Sequence, residues 1–327
     1  MPQPTIGDVH VDRPLTNLSV AWIQSQTDFV AARVFPVVGV AARSDLYYEY
    51  DRGDWMRIVA EKRAPGTPSA GGGYTVSTSS YFADRFSIHQ DVDDLTRANA
   101  DSPLAPDSDA TQWVSEQMLR LREQEWATKY FAASVWTNEQ DGVAAAPGAN
   151  EFLRWDLGGS TPIDDVNAQA LAMAELTGFK PNGIVTTPAV WNALRNHADI
   201  IERIKYTQTG IVSAQLLATL FEVQDFHVAW GISNTATEGA TDAFSFLLGK
   251  HMLLYYAAPS PGLRQPSAGY TFAWTGLQGA SAAGDGVRIK RFRIEENESD
   301  RIEADMAWDQ KLVALDLGVF FATAVTP

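Results

Sequence analysis

The chain has no cysteine among its 327 residues. That absence removes three chemistries together: a disulfide framework, a thiolate metal site and a cysteine nucleophile. Cations are scarce too. Lys and Arg number 25 against 40 Asp and Glu, a formal charge of −15, whereas a grip on nucleic acid needs clustered bases that neutralise phosphates. Any contact with DNA is therefore expected to be non-adhesive. Long apolar runs are missing: the longest stretch near the C-terminus is broken by Asp316 and is too short to span a bilayer. The opening MPQPTIGDVHVDRPL lacks the basic start and apolar run of a secretory signal, so a soluble cytosolic product without a membrane partner is expected.

Catalytic patterns are missing as well. Of His10, His89, His197, His227 and His251, no two sit at helical ligand spacing, and H-E-x-x-H does not occur. Gly279-Ala280-Ser281-Ala282-Ala283 fails the G-x-S-x-G elbow at its last position. Gly71, Gly72 and Gly73 are followed by no Lys, so they read as a turn rather than a phosphate cradle. His89 to Asp94 gathers a His and three carboxylates without the central Gly and terminal Glu of a calcium loop. We expect no catalytic residue, no cofactor and no metal.

What is present is a well-specified helix. Asp107 to Ser134 contains neither Pro nor Gly and opens with Asp107, Ser108 and Asp109, whose oxygens can accept from the first free N–H groups. One helix of roughly 25 residues, about 37 Å long, is predicted. Glu116 with Arg120 and Glu125 with Lys129 add i,i+4 pairs. Val114, Met118 and Leu121 share one face, while Trp126 and Tyr130 lie nearly opposite. A helix whose apolar face changes sides is gripped by different neighbours along its length.

Around it, residues 1–45 carry Pro2, Pro4, Pro14 and Pro36 and read as an arm, with a short helix within Ala21 to Val34 and a strand at Val34 to Val40. Leu46 to Tyr50 and Tyr74 to Ile88 are strand-like, and between them lies a charged segment rich in Pro and Gly. This describes a two-stranded ribbon that projects from the body and is stabilised chiefly by docking on another chain. Residues 137–159 read as a linker. Then follow helices at Ile163 to Leu176, Pro188 to His197, Ala198 to Ile204 and Ala214 to Phe221, and strands at Gly183 to Thr187, Asp225 to Trp230 and Phe244 to Tyr256. Residues 261–286 read as loop, Val287 to Ile294 as a strand with a bulge near Lys290 and Arg291, and residues 300–325 as strand.

This order of parts resembles the major capsid proteins of tailed bacteriophages, the HK97-like fold. KRAPGTPSAGGGYT (Lys62 to Thr75), DVDDLTRANADSP (Asp91 to Pro103), RIKYTQTGIV (Arg203 to Val212), LLYYAAPSPG (Leu253 to Gly262) and ESDRIEADMAWDQK (Glu298 to Lys311) are similar to capsid proteins of phages with actinobacterial hosts. The resemblance implies an α+β fold with an N-arm (1–45), an extended β-ribbon loop (46–90), a spine-helix peripheral domain (91–150), an α/β axial domain (151–286) and a return to the peripheral sheet (287–327). It implies a structural subunit, not an enzyme, that assembles with itself as hexamers and pentamers into an icosahedral shell. The shell would enclose phage double-stranded DNA without specific binding, form in the host cytoplasm and reside in the virion. A portal, a decoration protein and, because the arm begins almost at Met1, a separate scaffolding protein are the implied partners. Arg52, Trp55, Arg57, Lys62 and Arg63 of the ribbon, and Glu295, Glu296, Glu298, Arg301 and Glu303 of the peripheral domain, are the implied inter-subunit contacts. Lys62 and Asn297 fit only loosely the Lys and Asn that weld subunits in some members, so a shell without covalent links is expected. The alternatives are an encapsulin-like nanocompartment of the same fold and an α/β enzyme with an unrecognised site.

Overall fold

The computed structural model describes residues 28–100, 104–205, 212–262, 264–277 and 288–326. Most of the arm, the middle of Arg203 to Val212, Ser281 and Val287 lie outside the described residues.

The described chain enters through one helical turn, α1 (Ala31–Val34), and a strand, β1 (Val37–Val40). The ribbon follows as β2 (Ser44–Tyr50) and β3 (Val76–Phe82), antiparallel from Ser44↔Phe82 to Tyr50↔Val76, with α2 (Arg52–Met56) at its far end. The Asp51 carboxylate accepts from the Gly53 N–H and starts α2. A break at buried Ala83, whose N–H bonds to the Arg43 carbonyl, separates the ribbon from β4 (Asp84–Asp93). Asp93 caps α3 (Asp94–Asn99), which leads into the long helix α4 (Pro106–Tyr130).

The start of α4 differs from the sequence expectation. Pro106 occupies the first turn, where its missing N–H costs nothing, and no side chain caps it. Asp107 instead bonds to Arg97 at 2.9 Å and Arg291 at 3.2 Å. The switch of apolar face holds. Val114 and Met118 pack in one cluster with Ile302, Ala304, Met306 and Trp308, while Trp126 and Ala127 belong to the main core. Both i,i+4 pairs form, at 2.6 and 3.6 Å.

Residues 137–159, read as a linker, contribute β5 (Asn138–Val143) and β6 (Glu151–Leu153). Next come α5 (Pro162–Thr177), closed by Gly178 at φ 78°, a conformation suited to a residue without Cβ, then β7 (Gly183–Thr186), α6 (Pro188–Arg195), α7 (Ala198–Ile204), α8 (Ala214–Leu220) and β8 (Asp225–Val228). The single strand expected at Phe244 to Tyr256 is two. A hairpin of β9 (Ile232–Asn234) and β10 (Phe244–Phe246) stands apart, and β11 (Met252–Tyr255) joins the core after bends at Leu247, Leu248 and Lys250. The stretch read as loop holds β12 (Gly269–Trp274), whose residues are buried but for half-buried Trp274. Last come β13 (Arg288–Ile294), β14 (Ser299–Leu312) and β15 (Gly318–Ala322).

Apart from the β2-β3 ribbon and the β9-β10 hairpin, the described strands form two sheets. The six-stranded one runs β6-β5-β15-β11-β7-β8 and carries the main core, including Ile184, Leu253, Val319 and Phe320. The five-stranded one is built on β14, which pairs with β4 along one edge and with β13 and then β12 along the other, while β1 extends β12. The β13 register is unbroken from Arg288↔Asp305 to Ile294↔Ser299, so the expected bulge is absent. Ile289 and Phe292 lie on opposite faces, and because β13 is an edge strand both stay exposed, so no bulge is needed to turn them to one side. The chain's end is shared: β14 lies under α4, and β15 crosses to the other sheet.

Candidate inter-subunit surface

Strand alternation gives the ribbon two unlike faces. Tyr47 and Tyr81 point inward and stack on Phe272 of β12, with ring centroids 5.4 and 4.5 Å away, and the Tyr81 hydroxyl donates to the Ala42 carbonyl. The paired strands therefore have a seat on their own subunit as well. The outward face carries Leu46, Tyr48, Val76 and Phe82, between 44% and 68% exposed. At the far end, Tyr50, Trp55 and Tyr74 form a ring cluster with centroids 5.5 to 5.9 Å apart. Arg52 binds Asp316 at 2.6 Å, and Met56 covers Gly178. Beyond this anchor Ile58 is 92% exposed, and no ion pair to Arg57 or Lys62 occurs among the described residues. Arg63 donates to the Thr67 carbonyl of its own loop.

The acidic run from 295 to 309 looks different once the strands pair. Arg288, Lys290 and Arg293 of β13 stand directly opposite Asp305, Glu303 and Asp300. Asp305, fully buried, accepts from Arg85 at 2.7 Å, from Lys290 at 3.0 Å and from Arg288. Burial alone would raise its pKa, but hydrogen bonds from Arg288, Arg85 and Lys290 outweigh that and hold the carboxyl at about 2. Asp300 bonds Arg291 at 2.6 Å and Arg97 at 2.9 Å. Glu303 meets Lys290 at 3.3 Å, and Arg301 meets Asp91 at 2.7 Å. Of the predicted contacts, Glu303 and Arg301 are thus engaged at home. Glu295 lies 3.8 Å from Arg293 but is mostly exposed, Glu296 sits in the short turn that joins β13 to β14, and Glu298 closes that turn at φ 45°.

The structure brings together one arrangement that superficially suits a hydrolase. Ser160 Oγ lies 2.9 Å from His197 Nε2. His197 Nδ1, however, accepts the Asp199 N–H at the start of α7, so Nε2 carries the proton and donates to Ser160. No lone pair remains there to take a serine proton, and this pair acts as a cap. The carboxylates near His89 are likewise occupied: Asp91 by Arg301, Asp93 by the Thr96 N–H and Asp94 by Arg293. No group of metal-ligating side chains occurs among the described residues.

Comparison with known proteins fits this architecture. The family model Phage major capsid protein E matches residues 153–242. The major capsid protein of Burkholderia phage BcepMu is 24% identical over 270 residues, covering 80% of this chain and 82% of the relative. A phage-related protein of Bordetella bronchiseptica superposes with a TM-score of 0.67 at 22% identity over 93% of this chain and 95% of its own. The capsid of cyanophage P-SCSP1u gives 0.60 at 10% identity over 98% and 95%. The SrpI encapsulin of Synechococcus elongatus has the same fold at 0.52 and 11% identity, over 98% of this chain and 96% of its own. With its long helix over one sheet, its ribbon and its second sheet, the chain has the HK97-like fold of tailed-phage major capsid proteins.

Proposed function

We propose that the chain is a major capsid protein whose copies assemble into the icosahedral head shell of a tailed phage around double-stranded DNA. The observation that carries this reading is the ribbon. Its inner face is docked at home, while its outer face and tip leave Leu46, Tyr48, Trp55, Met56, Ile58, Val59, Tyr74, Val76 and Phe82 exposed. Clustered apolar exposure of this kind marks an interaction surface. The matched capsid model and the BcepMu relative support a second copy of the chain as the occupant. Arg57, Lys62 and Arg63 near that tip, with Glu295, Glu296 and Glu298 on the β13–β14 turn, are the polar contacts we assign across the interface. The five-part division into arm, ribbon, peripheral, axial and returning segments belongs to the same proposal. So do assembly in the host cytoplasm, residence in the virion, and a scaffolding protein, a portal and a decoration protein as partners.

The encapsulin likeness supports a second reading, a nanocompartment shell. Electron microscopy of the purified chain, alone and with a co-expressed scaffolding protein, is expected to show closed round shells. Failure to form shells under both conditions at high concentration would count against either reading. A shell that retains a folded protein cargo in place of DNA would favour the second.

A further inference from the structure

The junction between α1 and α4 contains a buried carboxylate, Glu123, that forms no ion pair among the described residues. Glu123, 1% exposed, accepts the Ala31 N–H through Oε2 at 2.8 Å, and the Val30 N–H lies 3.0 Å from both oxygens. Val30 and Ala31 are themselves buried, so no water replaces these bonds. Oε2 alone can therefore serve both peptide groups. Oε1 is left able to carry a proton without breaking either bond. We propose that Glu123 is a proton-sensitive clasp, which holds α1 against α4 through the Val30 and Ala31 amides and docks more favourably when its spare oxygen is protonated, because the neutral acid costs less to bury even though it accepts the two N–H bonds more weakly. The inference does not depend on the shell reading.

The energetics follow from what surrounds the group. Burial raises the Glu123 pKa, the Val30 and Ala31 hydrogen bonds and the Arg122 charge lower it, and the result is about 7. Undocked and solvated, the same carboxyl would titrate near 4.5. The docked state thus binds the proton more tightly, so falling pH favours docking through this group between about 7 and 4.5. On the α1 side, Arg33 turns away from Glu123 to His227 Nδ1 of β8, 3.3 Å away. Arginine can only donate, so this imidazole is a neutral acceptor. Burial, then Arg33, lowers the His227 pKa. Its effect has the opposite sign, and docking loses stability as pH falls below the ordinary histidine value of 6.5. Asp28 flanks the turn and Trp126 presents only a neutral indole N–H. The two titrations act in opposite directions below 6.5, which is why the clasp must be read in variants.

Hydrogen exchange of the purified full chain, corrected for intrinsic rates and followed over the peptide spanning residues 28–36, tests this. In His227→Gln, protection is expected to rise by up to about tenfold as pH falls from 8 to 6. In Glu123→Gln, which mimics the protonated acid, protection at pH 8 should match or exceed that of the wild type. That variant should show no rise on acidification. Flat protection in His227→Gln, or a rise retained in Glu123→Gln, overturns the proposal. Should a variant fail to fold, the side-chain carboxyl 13C shift of Glu123 in the wild type decides: a midpoint near 7 supports the clasp, and one below 5 rejects it.

Discussion

Asp305 is the residue on which the edge of the five-stranded sheet depends. Its side chain is fully buried under Arg85, Arg288 and Lys290, of which Arg288 is the least exposed. Removing one partner from such a set leaves the others with an uncompensated field. Because Arg85 and Lys290 can turn to water, the cost of Asp305→Asn is discounted to about 2 kcal/mol. In a chain this long that lowers Tm by about 3 °C, a shift within reach of differential scanning fluorimetry. The sign of its pH dependence is fixed. The folded pKa is depressed to about 2 from 3.8, so the stabilisation is present above 3.8 and lost as pH falls towards 2. The gap between wild type and variant should therefore close in acid, and a gap that persists there would show packing, not charge, to be at stake.

If its outer face is an inter-subunit contact, as proposed above, the ribbon is the element at which folding and assembly can be separated. Tyr81, 6% exposed and stacked on Phe272, belongs to the fold; Tyr48, 68% exposed, does not. Tyr81→Ala is expected to cost about 3 kcal/mol by emptying a packed aromatic site. Tyr48→Ser should change subunit stability by no more than about 0.5 kcal/mol while reducing shell yield. Urea unfolding and sedimentation read the two quantities separately. Replacing Arg57 to Gly73 by a tight turn should likewise leave a folded, soluble subunit that forms no shells. Normal shells from that variant would remove the ribbon from the interface.

How much of this was legible depends on the range of the forces involved. The strands of the ribbon, the length and changing face of α4, and the helices from α5 to α8 are written in local periodicity and turn residues. The strand β12 was hidden because GYTFAW is buried on both faces and shows no alternation. Asp107 looked like a cap, yet Arg97 and Arg291 compete for it from α3 and β13. Glu123 gave no signal, since its partners lie 92 and 93 residues away. The acidic run misled for the same reason: its neutralising bases stand across a hairpin.

At the scale of the whole molecule, this pairing sets the sign of the salt effect on assembly. If ribbon cations steered the subunits together by meeting the acids of 295–309, salt would screen the attraction and weaken assembly. But Asp300, Glu303 and Asp305 are satisfied within their own subunit, which leaves Glu295, Glu296 and Glu298 for a partner. Exposed pairs of that kind contribute about 0.5 kcal/mol each. Against them stands a charge of −15 on every copy, so like charge accumulates as a shell closes. At low ionic strength, with a Debye length of about 30 Å, neighbouring subunits repel across their full width; at 0.15 M that range shrinks to about 8 Å. Apolar burial of the kind proposed for the ribbon's outer face would be strengthened by excluded salts such as sulfate, not weakened. Assembly should therefore improve from about 0.01 M to 0.15 M salt, read by light scattering as a falling threshold concentration. Reversing Arg57, Lys62 and Arg63 to Glu should raise that threshold most at low salt. A wild-type threshold that rises with salt would instead make ribbon-to-acid attraction the dominant force between subunits, and the triple reversal would then be the variant that abolishes it.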